Sequence, residues 1–242
     1  MRLAALASGG KDSIHAAAIC DSHGWEVAEL MTLIPAERDA WLFHTPNLHL
    51  VPLISEAWGK LCSSRSVAGT GEEAELAALK DALSTLPPKG INGVTVGAIG
   101  SSYQWSRVWH VAHGLGIEVF APLWRATPAE VLREEMRSGM DMRIATVASE
   151  PLGEDLLGKR IDTGLMARLE ELGREVREFH IAGEGGEYET LVLDAPFFGS
   201  RIEVLESHVE RAGSQAVWVV DRAKLTQKRS GQAGPRTVGK DI

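Results

Sequence analysis

Ser8-Gly9-Gly10-Lys11-Asp12-Ser13 follows directly on the apolar run of residues 2–7, and a helix fits residues 12–23 behind it. A strand, a glycine turn and a helix in that order is where an open α/β sheet receives its ligands. Two adjacent glycines let the backbone approach an anion closely, and the free N–H groups at the helix start point at it. Lys11 adds a full positive charge, and the hydroxyls of Ser8 and Ser13 can donate to phosphate oxygens. Asp12 is out of place against a bare phosphate, but it fits a magnesium ion or an orienting role in the loop. The competing reading is a glycine turn with Lys11 in solvent, and the position right after the first strand weighs against it.

Working outward, the first half repeats this strand–helix pattern. Strands are expected at 27–34, 66–68, 94–99 and 118–120, and helices at 47–59, capped by Asn47, at 72–86 and at 102–115. Alternating strands and helices imply parallel pairing with right-handed crossovers, hence a doubly wound parallel sheet of five strands. The pattern changes near Pro122. Thr127-Pro128 opens a helix by the cap-then-proline signature, a strand is expected at 143–148 and a helix at 163–176. Strand-like runs then follow at 179–182, 190–193, 202–205 and 216–220. The expected organisation is therefore a domain at 1–124 carrying the phosphate loop, a smaller α+β domain at 125–222, and a mobile basic tail at 223–242.

Other phosphate loops fit less well. A Walker loop, GxxxxGK[ST], fails at Ala5 and again at Asp12. Gly69-Thr70-Gly71-Glu72-Glu73-Ala74 mimics a dinucleotide fingerprint, but the acidic residue expected about 20 positions later is missing.

The second constellation is Gly183-Glu184-Gly185-Gly186-Glu187-Tyr188-Glu189-Thr190. Its glycines make a close-approach loop, and Glu187 and Glu189, two apart on a chain entering a strand, project to one face. Carboxylates this dense repel one another unless they are solvated or meet a cation, so an acidic surface turn is the plain alternative. Among single residues, His44 is a candidate contact for phosphate or a plain surface histidine, and Arg107 could hold a carboxylate bidentately or be an ordinary surface arginine. His110 and His113 lack a third ligand and read as solvated.

Bulk properties exclude several classes. A net charge of −8 argues against general nucleic-acid binding, which requires basic surface. Cys20 and Cys62 lie far apart with no CxxC, which argues against a cysteine zinc site and against paired-cysteine sulfur transfer. No apolar run approaches the ~20 residues needed to span a bilayer, and no signal peptide is evident, so a cytoplasmic location is expected.

SGGKDS at the end of the first strand resembles the PP-loop ATP pyrophosphatases, which cleave ATP between its α and β phosphates. Together with GEGGEYET, Phe43-His44-Thr45-Pro46-Asn47, Gly97-Ala98-Ile99 with Ser102-Tyr103-Gln104 and Arg107-Val108, and Ala121-Pro122-Leu123-Trp124, it resembles the diphthine–ammonia ligase family. The likeness runs from the first strand to about Phe198.

The resemblance implies ATP with Mg2+, free ammonia as nitrogen donor, and elongation factor 2 carrying diphthine as the acceptor. It leaves open a different small-molecule or tRNA acceptor, a non-catalytic ATP/AMP-binding regulator, and a homodimer. On this reading Ser8, Gly9, Gly10, Lys11, Asp12, Ser13 and His44 bind ATP, and Asp12 holds the metal. Lys11 and Asp12 act with Glu184, Glu187 and Glu189 in catalysis. Tyr103, Gln104, Arg107, Gly185, Gly186, Tyr188 and Thr190 meet the acceptor, with the acidic loop facing the nucleotide across a cleft. A diphthine acceptor carries a quaternary ammonium group that favours an aromatic face, for which Tyr103, Trp105 and Tyr188 are candidates.

Overall fold

Apolar residues on both faces of the first strand, β1 (Arg2–Leu6), place it at the centre of a sheet covered on both sides. The computed structural model describes residues 1–35, 46–148, 151–177 and 179–228. β1 pairs in parallel with β2 (Glu26–Ile34) and with β4 (Gly93–Thr95). β3 (Leu61–Ser66) and β5 (Glu118–Phe120) complete a five-stranded parallel sheet in the order β3-β2-β1-β4-β5. The helices α1 (Lys11–Ser22), α2 (Val51–Trp58), α3 (Glu72–Ser84) and α4 (Ser102–Gly114) make the crossovers. Strand order reverses between β1 and β4, which opens a crevice at their carboxyl ends.

In the second half α5 (Pro128–Arg137) and α6 (Thr163–Glu175) accompany a four-stranded antiparallel sheet in the order β7-β6-β9-β8. Its strands are β6 (Asp141–Val147), β7 (Tyr188–Asp194), β8 (Ser200–Ala212) and β9 (Gln215–Gln227). The two sheets share one core. Leu3, Ala5 and Leu30 of the first sheet, Ile14, Ala17 and Ile54 of α1 and α2, and Met142, Ile144, Leu191 and Val192 of the second sheet belong to a single buried cluster. A separate cluster fills the other face of the first sheet, where Ala4, Leu6 and Met31 meet Leu79 and Leu83 of α3 and Val108 and Ala112 of α4.

Several expected elements differ. The third strand lies at Leu61–Ser66 rather than 66–68; it is an edge strand with exposed side chains, so it lacks the apolar signature of its neighbours. Residues 179–182 form a turn rather than a strand, although Phe179 and Ala182 are buried. β8 and β9 run far beyond the apolar windows at 202–205 and 216–220, as a ribbon whose polar ends are cross-linked by pairs such as His208–Asp221. Ala223 to Gln227, assigned to the tail by sequence, are the end of β9. Asn47 does not cap a helix with its side chain. It adopts φ 67° before a 3-10 turn at Leu48–Leu50, and its amide bonds instead to β9, donating to Trp218 O at 2.9 Å and accepting from Val220 N at 2.8 Å. The candidate His44 and residues 229–242 of the expected tail lie outside the described residues.

Candidate active site

The Ser8–Ser13 loop leaves β1 at the crevice. Gly10 is the extended residue preceding α1, and Ser13 Oγ donates to Gly10 O at 3.0 Å, so the turn is closed by its own side chains. β7 braces the loop from behind. The Val192 N–H donates to Gly9 O at 2.9 Å, and Thr190 Oγ1 accepts the Lys11 N–H at 3.0 Å. Gly9 has φ 83° and packs so tightly that a Cβ there would stand 2.9 Å from Ile54, which explains a glycine on both steric grounds. On the opposite flank, a Cβ on Gly97 would lie 2.6 Å from both Asp12 C and Ser13 N, so the backbone after β4 touches the first turn of α1.

A cavity of about 510 Å³ opens at this point. One wall carries Ser8, Gly10, Asp12 and Ser13; Met31, Thr32 and Leu33 come from the end of β2, and Gly97, Ser101 and Gln104 follow β4. The far wall is Gly183, Glu184, Gly185, Gly186 and Glu189, with Thr146 beside them. The glycine loop and the acidic loop therefore face each other across one cavity. A smaller chamber of about 130 Å³ lies between the two loops and adds Lys11, Tyr188 and Thr190 to its lining.

The three glutamates of the acidic loop do different things. Glu184 Oε1 accepts the N–H groups of Ile99 and Gly100 at 3.0 and 2.9 Å, tying the loop to the segment after β4. Glu187 Oε1 accepts the His180 N–H at 2.8 Å and lines neither cavity, so it secures the turn that precedes β7. Glu189 lines both cavities and accepts from Thr146 Oγ1 at 3.0 Å. Glu187 and Glu189 thus do not act on one face.

Lys11 is the largest departure from expectation. It is 1% exposed, and its Nζ lies 2.6 Å from Asp12 Oδ1 and 3.4 Å from Glu135 Oε2 on α5. Burial alone would lower its pKa, but Asp12 and then Glu135 outweigh it, and the ammonium is held charged. Glu135 is completely enclosed, and burial pushes its carboxyl well above the usual carboxylate range despite the attraction of Lys11. The two directions are compatible. One ammonium serves two carboxylates, and burial favours the neutral form of the enclosed one. One turn along α1, His15 is 3% exposed; burial lowers its pKa to about 4, so its ring is neutral. Burial likewise raises the Tyr188 phenol, whose O–H donates to Ile181 O at 2.7 Å.

The remaining candidates divide. Gln104, Gly185 and Gly186 line the larger cavity. Arg107 does not. Its guanidinium reaches Glu72 of α3 at 2.5 Å and covers the Tyr103 ring at 3.2 Å from the centroid, so the carboxylate it holds is internal. Arg107 thereby covers one face of Tyr103, Trp105 stacks on Trp124, and the ring of Tyr188 is buried. Sequence reasoning missed Thr146 and Glu135, which sit in ordinary strand and helix contexts without a motif. No group of three or more metal-ligating side chains is present among the described residues, and no helix of the described residues is long and apolar enough to cross a membrane.

Comparison with known proteins agrees with this architecture. The model of the diphthamide synthase N-terminal domain matches residues 1–119, and that of the diphthamide synthase C-terminal domain matches residues 127–226. The chain is 35% identical to diphthine–ammonia ligase of Homo sapiens, over 86% of this chain and 85% of that protein. It is 33% identical to the enzyme of that name in Mus musculus, over 94% and 91%. The match to the Saccharomyces cerevisiae protein, at 32% identity, covers 82% of this chain but 33% of the longer yeast protein.

Proposed function

Since the chain belongs to the diphthamide synthase family, we propose that it is an ATP-dependent amide ligase acting on diphthine of elongation factor 2 with free ammonia. The observation that carries the reading is that the SGGKDS and GEGGEYET stretches wall a single cavity at the switch point of a parallel sheet. A regulator that only senses nucleotide has no need of that second, carboxylate-bearing wall.

The acceptor carboxylate oxygen attacks the α-phosphorus, the bond to the β-phosphate oxygen breaks, and pyrophosphate leaves. Ammonia then attacks the acyl carbon, AMP leaves with the carbon–oxygen electron pair, and the nitrogen loses its surplus proton. Ser8, Gly10, Ser13 and the start of α1 cradle the phosphates, and Lys11, on the wall of the small chamber, stabilises charge on departing pyrophosphate. The donor set suits Mg2+, which is commonly held by one or two carboxylates while substrate phosphates and water supply the rest. Asp12 would hold it, and the ion when bound neutralises phosphate charge. Glu189, backed by Thr146, orients ammonia or takes its proton, while Gln104, Gly185 and Gly186 border the acceptor. Glu184 and Glu187 keep the acidic loop in shape.

The test is incubation with ATP, Mg2+, ammonium and diphthine-bearing elongation factor 2, followed by nucleotide chromatography and mass spectrometry of the acceptor. AMP, pyrophosphate and an amidated acceptor are expected; ADP as the main product overturns the proposal.

A further inference from the structure

Two carboxylates converge on the Lys11 ammonium, and they are not equivalent. Asp12 is partly exposed and lines both cavities, so it can turn toward a bound ligand. Glu135 is fully enclosed, lines neither cavity, and stands on α5, a helix of the second half packed against α1. Lysine carries its charge on a flexible four-carbon stem, so its placement has to be imposed by its contacts. Once Asp12 turns to a ligand of its own, the oxygen 3.4 Å away on Glu135 is the remaining contact of the pair that cannot follow.

We propose that Glu135 is a positioning residue: its carboxyl oxygen fixes the Lys11 ammonium at the wall of the small chamber, so that the second half of the chain sets the aim of the loop cation. The contact runs through a carboxyl oxygen at 3.4 Å, an ion-pair distance rather than a hydrogen bond; glutamine keeps an oxygen of the same reach there, and an apolar side chain of equal length removes it. The proposal rests on the reading of Lys11 as the cation facing the leaving group. It adds that this cation belongs jointly to the loop and to α5.

The experiment uses Glu135→Met and Glu135→Gln, each in the wild-type and the Lys11→Ala background, assayed by AMP release at saturating ATP, ammonium and acceptor. Glu135→Met is expected to lower kcat about tenfold, the scale of a lost supporting contact behind an active group, with the KM for acceptor unchanged. Glu135→Gln is expected to keep most of kcat. In the Lys11→Ala background, Glu135→Met should cause no further loss, because the residue it positions is gone. Wild-type kcat in Glu135→Met, a Glu135→Gln variant as slow as Glu135→Met, or losses that multiply with Lys11→Ala would each overturn the proposal. Buried ion pairs often tolerate apolar replacement; should Glu135→Met not fold, Glu135→Leu takes its place. If the wild-type protein releases no AMP, the ligase reading fails by itself. The same cycle is then read from the affinity for a non-hydrolysable ATP analogue, where non-additive losses support the positioning role and additive losses refute it.

Discussion

Replacing Gly97 by alanine probes the tightest backbone contact at the site. The added methyl would sit 2.6 Å from Asp12 C and Ser13 N and 2.8 Å from Asp12 O. Both neighbours are main chain, so no side chain can rotate away. To reach ordinary contact near 3.4 Å, the first turn of α1 must retreat by roughly 0.8 Å. A shift approaching 1 Å at a reacting centre costs on the order of a hundredfold in rate. Overpacking of this kind destabilises by about 1–3 kcal/mol, which for a chain of this size lowers the melting temperature by about 2–12 °C. The assays are AMP release with acceptor and ammonium present, and a thermal melt followed by circular dichroism. Gly114→Ala is the control, since a Cβ there meets nothing within 4 Å. A Gly97→Ala protein with wild-type turnover and melting temperature would refute the claim that this contact positions the loop.

Glu189→Gln should reduce AMP release about a hundredfold, whereas Glu187→Gln should lower the melting temperature while turnover stays near wild type; the reverse pattern would exchange their roles. Asn47→Gly, which tolerates the φ of 67°, should destabilise by about 2 kcal/mol in a denaturant titration, because Trp218 O and Val220 N lose their partner. His15 supplies a pH dependence. Its folded pKa of about 4 lies below the ordinary 6.5, so the unfolded chain binds the extra proton between those values. The neutral ring favours folding fully above pH 6.5, and about 3 kcal/mol of that stability is lost as pH falls toward 4. His15→Leu should flatten the acid limb of the stability profile, and an unchanged limb would show that His15 does not drive it.

The parallel sheet was legible because its inner strands are covered on both faces and announce themselves as apolar runs. β3 was not, since an edge strand reading Leu-Cys-Ser-Ser-Arg-Ser has no face to hide. The two loops were legible because glycines and charges cluster there at fixed offsets. What each charge does was not. Glu184, Glu187 and Arg107 look in sequence like ligand-binding groups, and each has its charged end tied to the protein's own N–H groups or carboxylates. Lys11 reads as a phosphate-facing cation, but that α5, more than a hundred residues later, supplies Glu135 beside it has no local signature. Pairings at that distance follow from the docking of the second sheet, and no local pattern encodes them.

The shared core also has a consequence in time. α1 is synthesised well before Leu191 and Val192, against which its layer is buried. At about 5–20 residues per second, roughly ten to thirty-five seconds of synthesis separate them. Throughout that interval the nascent chain carries an uncovered apolar helix layer, and the glycine loop lacks the Val192 and Thr190 contacts that hold its shape. The glycine loop therefore gains its bracing only once β7 has docked, and a chain truncated before β7 would leave an apolar layer uncovered and the loop without these two contacts.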